Sequence, residues 1–144
     1  MILPHSVIRW GSSLLVGIPF VDHDHHEAVE MINRMAGADG AERLSLMRAF
    51  LGHCEEHFAR EEEMMTRTGF FALDPHRQEH QRVLAEAQRV LTRLEMGSDE
   101  TEYFREVLPQ WFLEHRATMD YVTADFALEH GWHGEDQDPV KAAQ

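Results

Sequence analysis

The chain has 144 residues, a formal net charge of −13 and one cysteine. This length fits one compact domain, residues 1–144, with a helical core, and the negative charge argues against nucleic acid or an anionic membrane surface as a partner. No apolar stretch approaches the ~18 residues of a membrane span, and Cys54 alone cannot form an internal disulfide.

The first 21 residues predict an irregular arm, because Pro4, Gly11, Gly17 and Pro19 interrupt any regular element. They carry neither the basic start nor the apolar run of a secretory signal, so we expect a cytoplasmic protein. A bundle over 22–128 and a polar tail over 129–144 complete the predicted organisation.

The first predicted helix runs from Asp22, a residue type favoured as an N-cap, to residue 36. The second predicted helix covers 41–67 and is followed by Gly69, a typical stop signal. Each has one apolar stripe at helical spacing. Both helices are therefore expected to bury one face.

The third predicted helix begins at Asp74-Pro75, a cap followed by proline at the first helical position. The fourth follows a cap at Ser98 or Asp99, and Pro109 must kink it or split off a short leading helix because proline lacks a backbone donor. A constant helical phase puts these residues of the fourth helix on its core face: Phe104, Leu108, Trp111, His115, Met119, Val122 and Phe126.

Four amphipathic helices joined by short loops predict an all-α fold, an antiparallel up-down-up-down four-helix bundle. Ionisable residues fall inside or beside the apolar stripes, where a buried ionisable group must find a partner or lose its charge. Residues four apart on a helix project from the same face. Metal binding satisfies imidazoles and carboxylates together, and the candidates are His25, His57, Glu61, His76, His80, His115 and Asp120.

Other histidines compete for these roles. His23 and His26 share their helix faces with charged residues and are expected in solvent. His53 lies one turn before His57 and could pair with it, but pairing His57 with Glu61 supplies the site with a carboxylate. We therefore predict His53 to lie at the surface or behind the ligands.

Several polar and aromatic residues outside the stripes are expected to be exposed. Glu62 and Glu63 should point away from His57 toward water. In the tail, His130 and His133, which flank Trp132, are also expected to be exposed and not metal-bound.

A longer pattern extends through nearly the whole chain. It comprises Trp10, Val16-Gly17-Ile18, Asp22-x-x-His25, the HFxxEE stretch from His57 to Glu62, Met65, Gly69-Phe70, His76-x-x-x-His80 and Trp111-x-x-x-His115-x-x-x-x-Asp120. This pattern resembles the single-domain bacterial hemerythrins. The resemblance implies a non-haem di-iron centre that binds dioxygen reversibly in a four-helix bundle.

Carried over by position, the resemblance implies that one iron is bound by His76, His80 and His115 and the other by His25 and His57, with Glu61, Asp120 and a hydroxide or oxo group as bridges. These groups supply about eleven bonds where two six-coordinate irons need about twelve, which leaves one position open on the iron with two histidines. Few anionic ligands favour reversible binding over oxygenase chemistry. Asp120 lies five residues after His115, roughly 140° around a regular α-helix, which suits a bridge.

The wall of the implied oxygen pocket is assigned to Trp111, Phe112 and Arg116. The family typically has aliphatic residues three before and one after the last histidine, where this chain has Phe112 and Arg116. Either Arg116 turns outward to meet Glu62 or Glu63, because long arginine stems often reach solvent, or it faces the pocket and makes it more polar.

The predicted function is therefore oxygen storage, delivery or buffering by a monomer that is not an enzyme. One alternative is an enzyme that reduces peroxide or nitric oxide at the same centre, and peroxidase-like side activity would accompany a polar pocket. Another is an oxygen or redox sensor. The ligands alone do not fix the metal, since zinc and manganese also accept them.

Overall fold

The computed structural model describes residues 6–132, and within them it contains four long helices and no strand. The first three helices are α1 (Pro19–Gly37), α2 (Gly40–Thr68) and α3 (Leu73–Glu95), and the fourth spans 101–129. The predicted all-α four-helix bundle is confirmed. In the described part of the chain no helix is both long enough and apolar enough to cross a membrane. The predictions for Pro4, His133 and the rest of the tail lie outside the described residues.

Helix α1 begins three residues earlier than predicted, at Pro19, so Asp22 is not its N-cap. Proline is favoured at the first helical position because its missing N–H would have no partner there. The Asp22 carboxylate instead accepts hydrogen bonds from the backbone N–H groups of Val16 (2.7 Å) and Gly17 (3.1 Å). It therefore fastens the N-terminal arm to the start of α1.

Helix α2 has defined ends. The Asp39 side chain accepts a hydrogen bond from the Glu42 backbone N–H at 3.0 Å and caps the first turn. Gly69 follows the helix in the left-handed conformation, with φ of 71°, as a residue without a Cβ does readily. The predicted stop signal at Gly69 thus marks the observed end of the helix.

The fourth helix alternates between α-helical and π-helical hydrogen bonding. Its successive parts are a π turn at Tyr103–Val107, α4 (Leu108–His115), a second π turn at Arg116–Asp120, and α5 (Tyr121–Glu129).

The helix is not split at Pro109, contrary to one form of the prediction. The Leu108 N–H donates to the carbonyl of Tyr103, five residues earlier, so the first π turn directly precedes the proline. A wider turn relieves the clash that a proline ring makes with the carbonyl four residues before it. The chain therefore remains helical through Pro109.

The predicted core face is wrong after the second π turn. Val122 was expected in the core but is 45 % exposed, and Phe126 is only half-buried. Thr123 and Ala127, each one position later, are buried instead. A π turn takes up one extra residue, so every later side chain is one position out of phase with a regular α-helix.

Trp132, at the start of the predicted polar tail, is buried, with 1 % of its surface exposed. Its ring packs against Phe20, with centroids 6.2 Å apart, and beneath the guanidinium of Arg67. The backbone N–H of Trp132 donates to the carbonyl of Ala127 and so folds the chain back onto the bundle end. His130, by contrast, is exposed as predicted.

The buried polar residues lie along the helices between two apolar clusters. The larger cluster includes Val29 and Ile32 of α1 and Met47 of α2. The smaller cluster lies beyond the polar residues at the other end of the bundle and consists of Val16, Ile18, Phe20, Val21, Met64, Ala124, Ala127 and Trp132.

Candidate metal centre

The structure brings all seven predicted ligand side chains together in the middle of the bundle. One comes from α1, two each come from α2, α3 and the fourth helix, and all are buried. They form two groups that share the Glu61 carboxylate. Within each group, one ligand atom of every residue lies within 4.8 Å of the ligand atoms of the others. The residues are His25, His57, Glu61, His76, His80, His115 and Asp120.

Three histidines surround one oxygen from each carboxylate, and we call this the three-histidine side. Glu61 Oε1 lies 2.9 Å from His76 Nε2 and 3.1 Å from His80 Nε2. Asp120 Oδ1 lies 3.0 Å from His115 Nε2 and 3.2 Å from His76 Nε2. Neighbouring ligands of one ion with bonds of about 2.1 Å are separated by similar distances.

The second oxygen of each carboxylate faces the two remaining histidines, and we call this the two-histidine side. Asp120 Oδ2 lies 3.0 Å from His25 Nε2, and Glu61 Oε2 lies 3.7 Å from His57 Nε2. Each carboxylate therefore turns one oxygen to each side. Two bridging carboxylates between two metal ions would have this arrangement.

The second π turn explains how Asp120 reaches the cluster. On a regular α-helix a residue five positions after His115 would point well to one side. Hydrogen bonding across five residues, from the Tyr121 N–H to the Arg116 carbonyl, brings positions five apart onto the same face instead. The predicted offset of Asp120 is therefore removed by local helix geometry.

The donor set fits a metal ion. Although they lie close together, Glu61 Oε1, His80 Nε2 and Asp120 Oδ1 are buried and make no hydrogen bond of acceptable geometry with any described residue. A buried polar atom without a partner is costly, and a metal ion between these atoms would satisfy them all. Mixed imidazole and carboxylate donors are ligands that iron, zinc and manganese accept.

Burial and charge oppose each other in the metal-free cluster. Burial alone would lower the pKa of His76, but the neighbouring carboxylates of Asp120 and Glu61 raise it to about 10. Burial alone would raise the pKa values of Glu61 and Asp120, but contacts with the imidazoles hold both below their ordinary range. Without metal, a protonated imidazole such as that of His76 therefore balances part of the negative charge of the two carboxylates.

The stability of the metal-free protein should fall as the pH rises above neutrality. His76 has a raised folded-state pKa, so its stabilisation is complete below the unfolded value of 6.5 and is lost as the pH rises through about 10. The decline is at most about 1.4 kcal/mol per pH unit. Thermal unfolding of metal-free protein between pH 6 and 10 would measure it, with the His76→Gln variant as control. Equal pH profiles for the two proteins would contradict the expectation.

Two residues behind the ligands were not predicted. Asp24 Oδ2 accepts the Nδ1–H of His57 at 2.8 Å and also contacts Arg60. Burial opposes ionisation of Asp24, but His57 and Arg60 outweigh it and lower the pKa of the carboxyl. Thr123 Oγ1 lies 2.8 Å from His76 Nδ1. Such contacts fix which imidazole nitrogen faces a metal.

Glu62 was expected in water, and that prediction is wrong. Its Oε2 lies 2.9 Å from His80 Nδ1 and its Oε1 lies 3.4 Å from Arg77 Nε, with the side chain 26 % exposed. The side chain is long enough to reach α3 from a neighbouring face of α2. Glu63 is exposed as predicted.

The other histidines that the structure describes lie outside the cluster. His23 and His26 are exposed or nearly so and pair with acids on their own helix. His53 Nε2 lies 3.0 Å from the backbone oxygen of Asp24, behind the ligands, and not beside them. The HxxxH alternative that pairs His53 with His57 as a metal-binding unit therefore has no support in the geometry.

An apolar cavity of about 30 Å³ adjoins the two-histidine side. Two of the three residues predicted for the pocket, Trp111 and Phe112, line it, and Arg116 does not. Arg116 is half-buried and forms no ion pair within residues 6–132, so the predicted contact with Glu62 or Glu63 is also not observed. The cavity is lined by Asp24, His25, Ala28, Phe50, His53, Cys54, His57, Phe58, Trp111, Phe112, His115 and Asp120.

A four-helix bundle that encloses two groups of imidazoles joined by shared carboxylates defines a class of helical metal-binding proteins. Residues 16–127 match the family described as "Hemerythrin HHE cation binding domain", which covers most of the chain. The chain belongs to the hemerythrin family.

Individual relatives support this assignment. The chain is 35 % identical over 127 residues to a bacteriohemerythrin of Ralstonia nicotianae, covering 87 % of this chain and 92 % of that protein. It is 28 % identical over 148 residues to one of Stenotrophomonas maltophilia, covering 90 % and 94 %. A crystal structure of a hemerythrin mutant superimposes with a TM-score of 0.79 at 16 % identity, covering 85 % of this chain and 98 % of that one, which supports the fold.

Proposed function

We propose that this protein binds dioxygen reversibly at a non-haem di-iron centre and serves to store, deliver or buffer oxygen. The observation that carries the proposal is the asymmetry of the cluster. Three histidines surround one side and two the other, and the apolar cavity adjoins the side with fewer ligands. A small apolar molecule would find both space and a free coordination position there.

The residues would divide between two iron ions. His76, His80 and His115 would hold one ion and His25 and His57 the other, with Glu61 and Asp120 shared. Reduced iron would supply the electrons and the coordination position that dioxygen requires. Five neutral imidazoles and only two carboxylates make the ligand set poor in anions compared with carboxylate-rich di-iron bundles.

The surrounding side chains would keep water and other reactants from the site. Phe112 packs edge-on against His25, with ring centroids 5.3 Å apart, and Phe58 stacks on His80 at 3.9 Å. Trp111 stacks on His115 at 4.7 Å. These rings line an environment that favours an apolar diatomic over water.

Optical spectra of the anaerobically reduced protein, taken before and after exposure to air, test the proposal. We expect a charge-transfer band to appear with oxygen and to disappear when oxygen is removed, with two irons per chain. Iron that oxidises without a reversible step would contradict oxygen carriage. Steady consumption of peroxide or nitric oxide with an electron donor would favour the enzymatic alternative.

The cavity wall supplies a further prediction. Phe112→Leu should enlarge the cavity beside His25 and raise the autoxidation rate of the oxygenated protein several-fold, because water then reaches the site more easily. Arg116→Ile is the matched control and should leave the rate unchanged, since Arg116 does not line the cavity. Stopped-flow and hourly spectra would measure both rates. A change with Arg116→Ile alone would place the guanidinium in the pocket after all.

A further inference from the structure

The histidine on α2 is held from behind by a buried carboxylate. Asp24 Oδ2 lies 2.8 Å from His57 Nδ1, and both side chains are 7 % exposed. The same oxygen contacts the guanidinium of Arg60, which is partly exposed. A chain of polar contacts thus runs from the protein surface through Arg60 and Asp24 to the ring that faces Glu61.

The two sides of the cluster differ in how many of their histidines are hydrogen-bonded from behind by another side chain. On the two-histidine side, His25 Nδ1 has no hydrogen-bond partner within residues 6–132, so among these residues Asp24 alone holds a histidine from behind. On the three-histidine side, His80 contacts Glu62 and His76 contacts Thr123. Loss of Asp24 would therefore leave the two-histidine side without a histidine that is hydrogen-bonded from behind. Loss of Glu62 would still leave the contact of His76 with Thr123 on the three-histidine side.

We propose that Asp24 is a positioning residue for the two-histidine side, where it fixes His57 with Nε2 toward the metal and strengthens that imidazole as a donor, while Arg60 moderates the effect. The inference rests on the proposed di-iron centre. A carboxylate that accepts the outer N–H of a ligand histidine selects the tautomer and raises ligand basicity, and its removal typically costs 10–100-fold in metal affinity.

Asp24 and Arg60 should act on the iron in opposite directions. Without the Asp24 charge, His57 becomes a weaker donor, oxidised iron is stabilised less, and the reduction potential rises. Without Arg60, more of the Asp24 charge reaches the ring, so the potential falls. A role limited to packing would not produce opposite signs from two residues in contact.

The test compares Asp24→Asn, Asp24→Glu, Arg60→Met and Glu30→Gln with the unmodified full chain. Iron(II) affinity is measured anaerobically against a competing chelator, and the midpoint potential by spectroelectrochemistry. We expect Asp24→Asn to weaken the binding of one of the two irons 10–100-fold and to raise the midpoint potential. Asp24→Glu keeps the carboxylate, so its iron affinity and midpoint potential should lie closer to those of the unmodified chain. Arg60→Met should lower the potential. Glu30→Gln, an exposed acid on the same helix, should change neither.

Each outcome decides the inference. The inference would be overturned if Asp24→Asn had the same iron affinity and midpoint potential as Glu30→Gln. A higher midpoint potential in Arg60→Met would also overturn it. If Asp24→Asn fails to fold, the sign of the Arg60→Met shift still decides. If the unmodified chain binds two irons but no oxygen, the proposed function fails, and the comparison of variants remains valid.

Discussion

Replacing His76 with alanine is expected to lower bound iron from the proposed two ions per chain to one or fewer, and to lower the melting temperature of the iron-loaded protein toward that of metal-free protein. The His76 Nε2 faces both carboxylates, at 2.9 Å from Glu61 and 3.2 Å from Asp120. Its loss would remove a ligand from the three-histidine side and leave the Thr123 hydroxyl without its imidazole partner. Metal binding stabilises the folded state, so lost metal means lost stability.

Iron analysis by mass spectrometry and calorimetric melting would measure both effects. His23→Ala is a suitable control, because that imidazole is exposed and pairs with Glu27 on its own helix, away from the cluster. The control should keep two irons and an unchanged melting temperature. Two irons retained in His76→Ala would rule out the assignment of this residue as a ligand.

Replacing Asp120 with asparagine should abolish the paired character of the centre. The substitution keeps the shape of the side chain but removes an anion whose two oxygens face different sides of the cluster, toward His115 and His25. One metal ion would lose a bridging oxygen and both would lose a shared negative charge. We expect less than two irons per chain and no oxygen-dependent absorption band.

Glu63→Gln is the matched control, since Glu63 lies on the same helix as Glu61, the other proposed bridge, but is exposed. Glu62→Gln would not serve, because Glu62 contacts His80. Equal iron contents and spectra for Asp120→Asn and Glu63→Gln would show that Asp120 is not part of the centre.

Regular helix geometry made much of this arrangement predictable. On α2 and α3 the ligands are four residues apart, and a four-residue step on an α-helix keeps side chains on one face. His57 with Glu61 and His76 with His80 could therefore be placed from spacing alone. The core face of the fourth helix could not be placed from spacing alone, because hydropathy does not reveal a π turn. A single assumed helical phase put Val122 in the core, where the structure has it exposed.

The residues that support the ligands were harder to find. Asp24 is four positions before the buried Ala28, so its helical phase indicated the core, but in the helix predicted from Asp22 it falls in the first turn, where acids usually cap or face solvent. Glu62 and Arg77 meet across two helices. Such contacts depend on side-chain reach and on how the helices are set against each other, and neither is encoded in residue spacing.

The π turn at Arg116–Asp120 holds one residue more than a regular helix needs, so this segment should tolerate the loss of a residue but not the gain of one. Ala117 and Thr118 are exposed, so other residues of similar helix propensity should be accepted there. Deleting either one would put Asp120 four residues after His115 and restore a regular α-helix, in which a four-residue step keeps side chains on one face. Asp120 would stay at the cluster and Thr123 beside His76, so a single-codon deletion should be accepted here. Inserting one residue would instead turn every later side chain by about 100° and move both residues away.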